Sequence, residues 1–147
     1  MKLVLPVFMV LYLNAYVHAL SQSLVEEMTE KMKMYGLECA ETENVSSDDL
    51  TALIQKQVPK THEGKCVILC TAKKLNIMRD DGSIGEGDVE WLARVKIDDP
   101  DVYDKMINTH KKCIADTVDN EDLCEKATRL TICIFIESKK NGLDKYL

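Results

Sequence analysis

The residues of this chain with the most chemistry in them are six cysteines: Cys39, Cys66, Cys70, Cys113, Cys124 and Cys133. Cys66 and Cys70 lie four apart in the apolar run Lys65-Cys66-Val67-Ile68-Leu69-Cys70, which holds no glycine or proline. Such a run is most easily helical, and that spacing stacks both thiols on one face, a turn apart. A bond between them would brace a single turn and constrain little else. Bonded outward, they tie one helix to two other elements. Cys124 and Cys133 are nine apart in a second helical stretch. They point to opposite faces, about 13 Å apart along the axis, whereas a disulfide needs Cα atoms within roughly 7 Å. They too must reach outward. Excluding these two pairs leaves several connectivities, and spacing does not choose among them.

Cysteines pair stably only in an oxidising compartment, and the N-terminus supplies the route to one. Met1-Lys2 is a positive n-region, Leu3 to Leu13 an apolar h-region, and Val17-His18-Ala19 places small residues at the −3 and −1 positions. Residues 1–19 therefore read as a secretory signal peptide cleaved before Leu20, and 20–147 as one helical domain. The apolar run is too short for a membrane anchor, and no stable membrane insertion is expected. An even number of cysteines in a small secreted chain reads as three disulfides. With Lys2 removed, 18 basic residues stand against 25 acidic ones, a net charge of −7. This acidity argues against nucleic acid and anionic membranes as partners.

The elements that position the cysteines read as about six helices. Leu24, Met28, Met32 and Tyr35 form one apolar stripe over 23–36, with Gly36 as a stop. Ser46 or Ser47 caps a second helix through Gln57, ended by Pro59. Thr61-His62-Glu63-Gly64 reads as a turn, and a third helix runs from Lys65 to Met78. Asp80-Asp81-Gly82-Ser83 is a turn signal. A short fourth helix spans 86–95 with Val89 and Leu92 inward; spacing leaves the side of Trp91 open. Asp99 caps a fifth helix with Pro100 in its first position and Val102, Met106, Thr109 and Cys113 on one face. Asp119-Asn120 breaks the chain. A sixth helix runs from Glu121 to about Lys139, with Leu123, Ala127, Leu130 and Ile134 on a stripe, and Asn141-Gly142 ends it.

Catalytic motifs are missing. There is no Gly-x-Ser-x-Gly, no His-Glu-x-x-His and no nucleotide fingerprint. With the cysteines oxidised, none is a nucleophile or a zinc ligand. Only His62 and His110 survive signal cleavage, too few for a metal or catalytic site. The Asp80 turn fails as a calcium loop, because Gly82, Ile84 and Trp91 fall where oxygen ligands are needed. No enzyme activity, cofactor or metal is expected. Asn44-Val45-Ser46 matches the glycosylation pattern and says only that this loop is exposed.

The intervals between successive cysteines are 26, 3, 42, 10 and 8 residues. This pattern resembles the insect odorant-binding protein family, pheromone-binding members included. Cys70-Thr71-Ala72-Lys73-Lys74-Leu75-Asn76 leading into Asp80-Asp81-Gly82 is similar to the family's third helix and turn. Asp122-Leu123-Cys124-Glu125-Lys126-Ala127, with Cys133 beyond, is similar to its sixth. The family joins first to third, second to fifth and fourth to sixth cysteine. The resemblance thus implies Cys39–Cys70, Cys66–Cys124 and Cys113–Cys133. It also implies an all-α fold around an apolar cavity.

On this reading the protein is a secreted carrier. It takes a small hydrophobic molecule into the cavity and moves it through sensillar lymph or another body fluid toward an olfactory receptor. The candidate lining is Met32, Tyr35, Ala72, Leu75, Ile77, Ile84, Leu92, Met106, Leu130, Ile134 and Tyr146, with Tyr35 or Tyr146 giving an orienting hydrogen bond. Apolar walls with few polar groups suit such ligands, and methionine adapts to varied shapes. The chain is expected to be a monomer or weak homodimer. The apolar tail residues Leu143, Tyr146 and Leu147 are either a frayed end or a flap folded over the cavity mouth. The alternatives are a carrier or scavenger in gland, saliva or reproductive tissue, a saposin-like lipid-interacting protein, and a secreted toxin or inhibitor acting through its surface.

Overall fold

A computed structural model describes residues 19–117 and 122–146. The signal peptide assigned to 1–19 lies, but for Ala19, outside the described residues, as do the break at Asp119-Asn120 and the last residue, Leu147. Among the described residues there are six α-helices: α1 (Gln22–Thr42), α2 (Ser47–Ile54), α3 (His62–Lys74), α4 (Val89–Asp98), α5 (Pro100–Asp116) and α6 (Leu123–Lys140). A single 3-10 turn, Asp144–Tyr146, follows α6.

The helix starts follow local chemistry. Side-chain oxygens of Ser46, Thr61, Asp88, Asp99 and Asp122 each accept a backbone N–H of the first turn of α2 to α6 in order. These caps satisfy donors that a helix leaves open. The ends of four helices share another device. At Asn44, Lys56, Asn76 and Gly142 the backbone turns left-handed, with φ of 50°, 57°, 55° and 70°. The next amide donates back into the helix: Val45 to Ala40, Gln57 to Ala52, Ile77 to Ala72 and Leu143 to Ser138. This closing pattern reverses the chain within two residues.

It also moves several boundaries from those expected. Gly36 does not stop α1, which runs on to Thr42 because Cys39 and Ala40 are buried against Val67 and α2. Burial there outweighs the roughly 1 kcal/mol that glycine costs inside a helix. The second helix ends at Ile54, ahead of Gln57, because Lys56 adopts the left-handed turn. Thr61–Gly64 is the cap and first turn of α3, since Gly64 N–H donates to the Thr61 hydroxyl at 3.1 Å. That helix ends at Lys74. After it, Met78 and Ile84 form a lone antiparallel bridge around the turn at Asp80-Asp81. Gly85 is required beside it, because a Cβ there would lie 2.2 Å from the Asn76 carbonyl oxygen. The fourth helix begins three residues later than expected, at Val89, which is 61% exposed rather than inward. Asp88, the cap before it, pairs with Lys31 of α1.

Three disulfides hold the frame: Cys39–Cys70 ties α1 to α3, Cys66–Cys124 ties α3 to α6, and Cys113–Cys133 ties α5 to α6. The helix carrying Cys66 and Cys70 is thus bonded to two different neighbours. The bridges close segments of 31, 58 and 20 residues. Chain entropy assigns each about 3 to 4 kcal/mol of stabilisation.

Candidate functional site

The interior is divided. One apolar cluster gathers Leu20, Leu24, Val95, Val102 and Leu143, with Trp91, Tyr103, Met106 and Tyr146 partly buried against it. A second gathers Ala72, Met78, Cys113, Ala127 and Leu130, with Ile68, Leu69, Ile77, Ile84 and Ile134 packed around it. A small third one joins α1 to α2 and α3 through Cys39, Ala40 and Val67.

The eleven residues singled out from the sequence are spread over this interior. Ala72, Ile77, Ile84, Leu130 and Ile134 belong to the second cluster, and Met106 and Tyr146 to the first. Leu75 is buried, while Met32, Tyr35 and Leu92 are half-buried outside all three clusters. Gly87 lies between Ile77 of the second cluster and Leu92 of α4. A Cβ there would lie 3.8 Å from Leu92 Cδ1 and 3.9 Å from Ile77 Cγ1. Gly87 also lines an open surface depression of about 470 Å³, and a second of about 350 Å³ runs along α3; neither is lined by any of the eleven.

The tail is folded onto the first cluster. Leu143 is 2% exposed. The Leu20 amide donates to the Tyr146 hydroxyl at 3.3 Å, so the last turn is joined to the start of α1. Tyr146 therefore already has a polar partner. Tyr35 lies under Lys74, whose Nζ is 5.4 Å from the ring centroid, toward the surface. Sequence reasoning left out Val95, Met78 and Trp91. Val95 follows Leu92 by three and Trp91 by four, a spacing that marks one helical face. Trp91 faces the first cluster, and its Nε1–H donates to the Leu24 carbonyl at 3.3 Å.

Ion pairs pin α1 to α4 outside this cluster. Lys31 Nζ lies 2.6 Å from Asp88 Oδ2, and Arg94 Nη1 lies 2.7 Å from Glu27 Oε1. The Lys31 hydrogen bond holds the Asp88 carboxyl below the usual carboxylate range, and Asp88 raises Lys31 in return. His110 Nε2 sits 3.0 Å from the Gly85 carbonyl oxygen. His62, Cys66 and Cys124 bring potential metal-ligand atoms within 4.8 Å of one another. The two sulfurs are bonded together, so they offer no thiolate to a metal. No helix among the described residues is long and apolar enough to cross a membrane.

Residues 21–137 match the model of the PBP/GOBP family. The chain is 30% identical to general odorant-binding protein 19d of Drosophila melanogaster over 108 residues, 73% of this chain and 71% of that protein. It is 28% identical to general odorant-binding protein 28a of the same fly over 130 residues, 84% and 90% of the two chains. A solved structure of odorant-binding protein dmelOBP28a superposes with a TM-score of 0.63 at 27% identity, covering 81% of this chain and 98% of that one. The match takes in all six cysteines and reaches into each of the six described helices, and the chain belongs to the PBP/GOBP family of insect odorant-binding proteins.

Proposed function

We propose that the protein is a secreted, non-catalytic carrier that binds small hydrophobic molecules reversibly. Odorants, pheromones or similar volatiles are the ligand class, carried through aqueous lymph toward an olfactory receptor. The observation that carries this reading is the divided interior. The apolar side chains fall into separate clusters, and Met32, Tyr35 and Leu92 stay half-buried outside them, with no side chain at Gly87 to fill the space between Leu92 and Ile77 of the second cluster. An apolar ligand between the clusters would complete a core that the chain leaves in two parts. Release of apolar surface from water, at about 25 cal/mol per Å², drives entry. The disulfides let the frame tolerate incomplete packing, because they stabilise chiefly by restricting the unfolded chain.

The test is uptake of a fluorescent apolar probe by the oxidised protein. Binding in the micromolar range is expected, about −8 kcal/mol, with displacement by medium-chain alcohols, esters or aldehydes. Leu92→Glu and Ile77→Glu, placed on either side of Gly87, should weaken it at least tenfold. Absence of uptake by folded, fully oxidised protein would refute the carrier reading.

A further inference from the structure

The Cys66–Cys124 bridge differs from the other two in its surroundings. Cys39 and Cys113 are both 0% exposed, so each of the other bridges has one end sealed in the interior. Cys66 is half-buried and Cys124 is 7% exposed. Both border the open groove of about 350 Å³ along α3 and the start of α6, which Cys70 of the Cys39–Cys70 bridge also lines, so the groove alone does not single this bridge out; the side chains beside it do. His62 stands one turn before Cys66 on α3. Its Nε2 lies 3.4 Å from Cys66 Sγ, and its Nδ1 lies 3.4 Å from Asp122 Oδ2. Asp122 is itself fixed, because its Oδ1 accepts the Cys124 and Glu125 amides as the cap of α6. A carboxylate, an imidazole and a sulfur thus stand in sequence at the edge of a groove.

We propose that Cys66–Cys124 is a thiol–disulfide exchange site for a small-molecule thiol, with His62 as proton donor to the departing Cys66 sulfur. The incoming thiolate attacks Cys124 Sγ and forms a mixed disulfide there. The Cys66–Cys124 bond breaks, and its electron pair leaves on Cys66 Sγ. The imidazolium of His62 gives that sulfur its Nε2 proton, so a thiol departs rather than a bare thiolate. The incoming thiol is oxidised to the disulfide level and Cys66 is reduced, so no further reductant enters. Cys66 is the leaving sulfur because the proton donor stands beside it, and a stabilised leaving thiolate departs faster. Asp122 orients the ring. Lys65 and Glu125 pair across the same α3–α6 seam and offset each other's charge near the sulfurs. The groove lysines Lys73 and Lys74 pair with Asp80 and Glu38, and Glu43 lines the groove beside them. Exchange would unfasten α3 from α6 and leave the other two bridges closed.

The experiment treats the oxidised protein with 2-mercaptoethanol, quenches with acid, alkylates free thiols and maps the peptides by mass. The first product should carry mercaptoethanol on Cys124 and the alkyl group on Cys66, with Cys39–Cys70 and Cys113–Cys133 intact. His62→Gln should lower the rate per thiolate about tenfold, below the ~10²-fold of a well-organised general acid. Asp122→Asn keeps the α6 cap and should give a smaller loss. First opening at another bridge, an adduct on Cys66 instead of Cys124, or an unchanged rate per thiolate in His62→Gln would each overturn the proposal.

Discussion

Leu143→Ala measures how far the C-terminal tail belongs to the folded core. Leu143 is 2% exposed and packs with Leu20, Leu24, Val95 and Val102. Its amide, which closes α6 onto Ser138 at 2.8 Å, is untouched by the change. The substitution removes roughly three methylene equivalents at ~0.8 kcal/mol each, about 2.4 kcal/mol. A cavity term would add to this, since buried Leu→Ala changes cost about 2 to 5 kcal/mol. A site near a chain end relaxes more easily than mid-helix, which holds the expectation to about 2.5 kcal/mol. For a domain of this size that lowers Tm by about 10 °C. Urea unfolding followed by Trp91 fluorescence reads it directly, because Trp91 packs on the same cluster and is the chain's only tryptophan. Ile97→Ala is the control: Ile97 lies on α4 at 84% exposure, and surface changes stay within about 0.5 kcal/mol. If Leu143→Ala is as mild as Ile97→Ala, the tail is a frayed end and its packing contributes nothing.

Two further expectations follow from local geometry. A Cβ at Gly36 meets nothing within 4 Å, whereas one at Gly64 would lie 2.5 Å from Pro59 Cβ and 3.0 Å from the Asp49 carboxylate. Gly36→Ala should therefore stabilise by about 0.5 to 1 kcal/mol, and Gly64→Ala should destabilise by about 1 to 3 kcal/mol, both read as urea midpoints. The Lys31–Asp88 pair predicts acid sensitivity. A carboxyl held below its ordinary range contributes stability above the unfolded-state pKa of about 4, lost as pH falls through the lower folded value. Asp88→Asn, which keeps the α4 cap, should cost about 1 kcal/mol at pH 7 and nothing at pH 2; an equal deficit at both would remove the pair as the cause.

The parts of the fold written in short-range chemistry were legible in the sequence. Asp99 before Pro100 marks the start of α5, and Ser46 that of α2, because a capping side chain acts within three residues. The stripe Val102, Met106, Thr109 and Cys113 faces inward as its periodicity requires. Helix ends were less legible, because Asn44, Lys56 and Asn76 take a left-handed turn that residues other than glycine seldom signal. Lys56 in particular has no local reason to stop a helix. Gly36 misled in the opposite sense, since burial further along α1 overrides a weak local preference. Cysteine spacing excluded two pairings and could not choose the rest, because that choice depends on how helices cross. The division of the interior was illegible for the same reason. Ile77 and Leu92 read alike as apolar positions, yet Ile77 packs into the second cluster and Leu92 into none, a difference set by how α4 crosses the 77–87 segment.

The covalent frame and the apolar interior are unevenly matched, and this bears on how a carrier would open. The bridges fasten the C-terminal end of α1, α3, the C-terminal end of α5, and α6. They reach the second and third clusters, which contain Cys113, Cys133, Cys39 and Cys70. None reaches the first cluster, where Leu20, Leu24, Val95, Val102 and Leu143 meet. That part is held by packing, by the Trp91–Leu24 and Leu20–Tyr146 hydrogen bonds, and by the Lys31–Asp88 and Arg94–Glu27 pairs. Local opening draws on the least stable contacts of a structure, and a disulfide-bonded segment cannot separate far from its partner. On the carrier reading, the passage for a ligand therefore belongs to the unstapled side, between α4 and the tail. There only a few non-covalent contacts would have to break and reform, while the bridges would hold α3 and α6 in place.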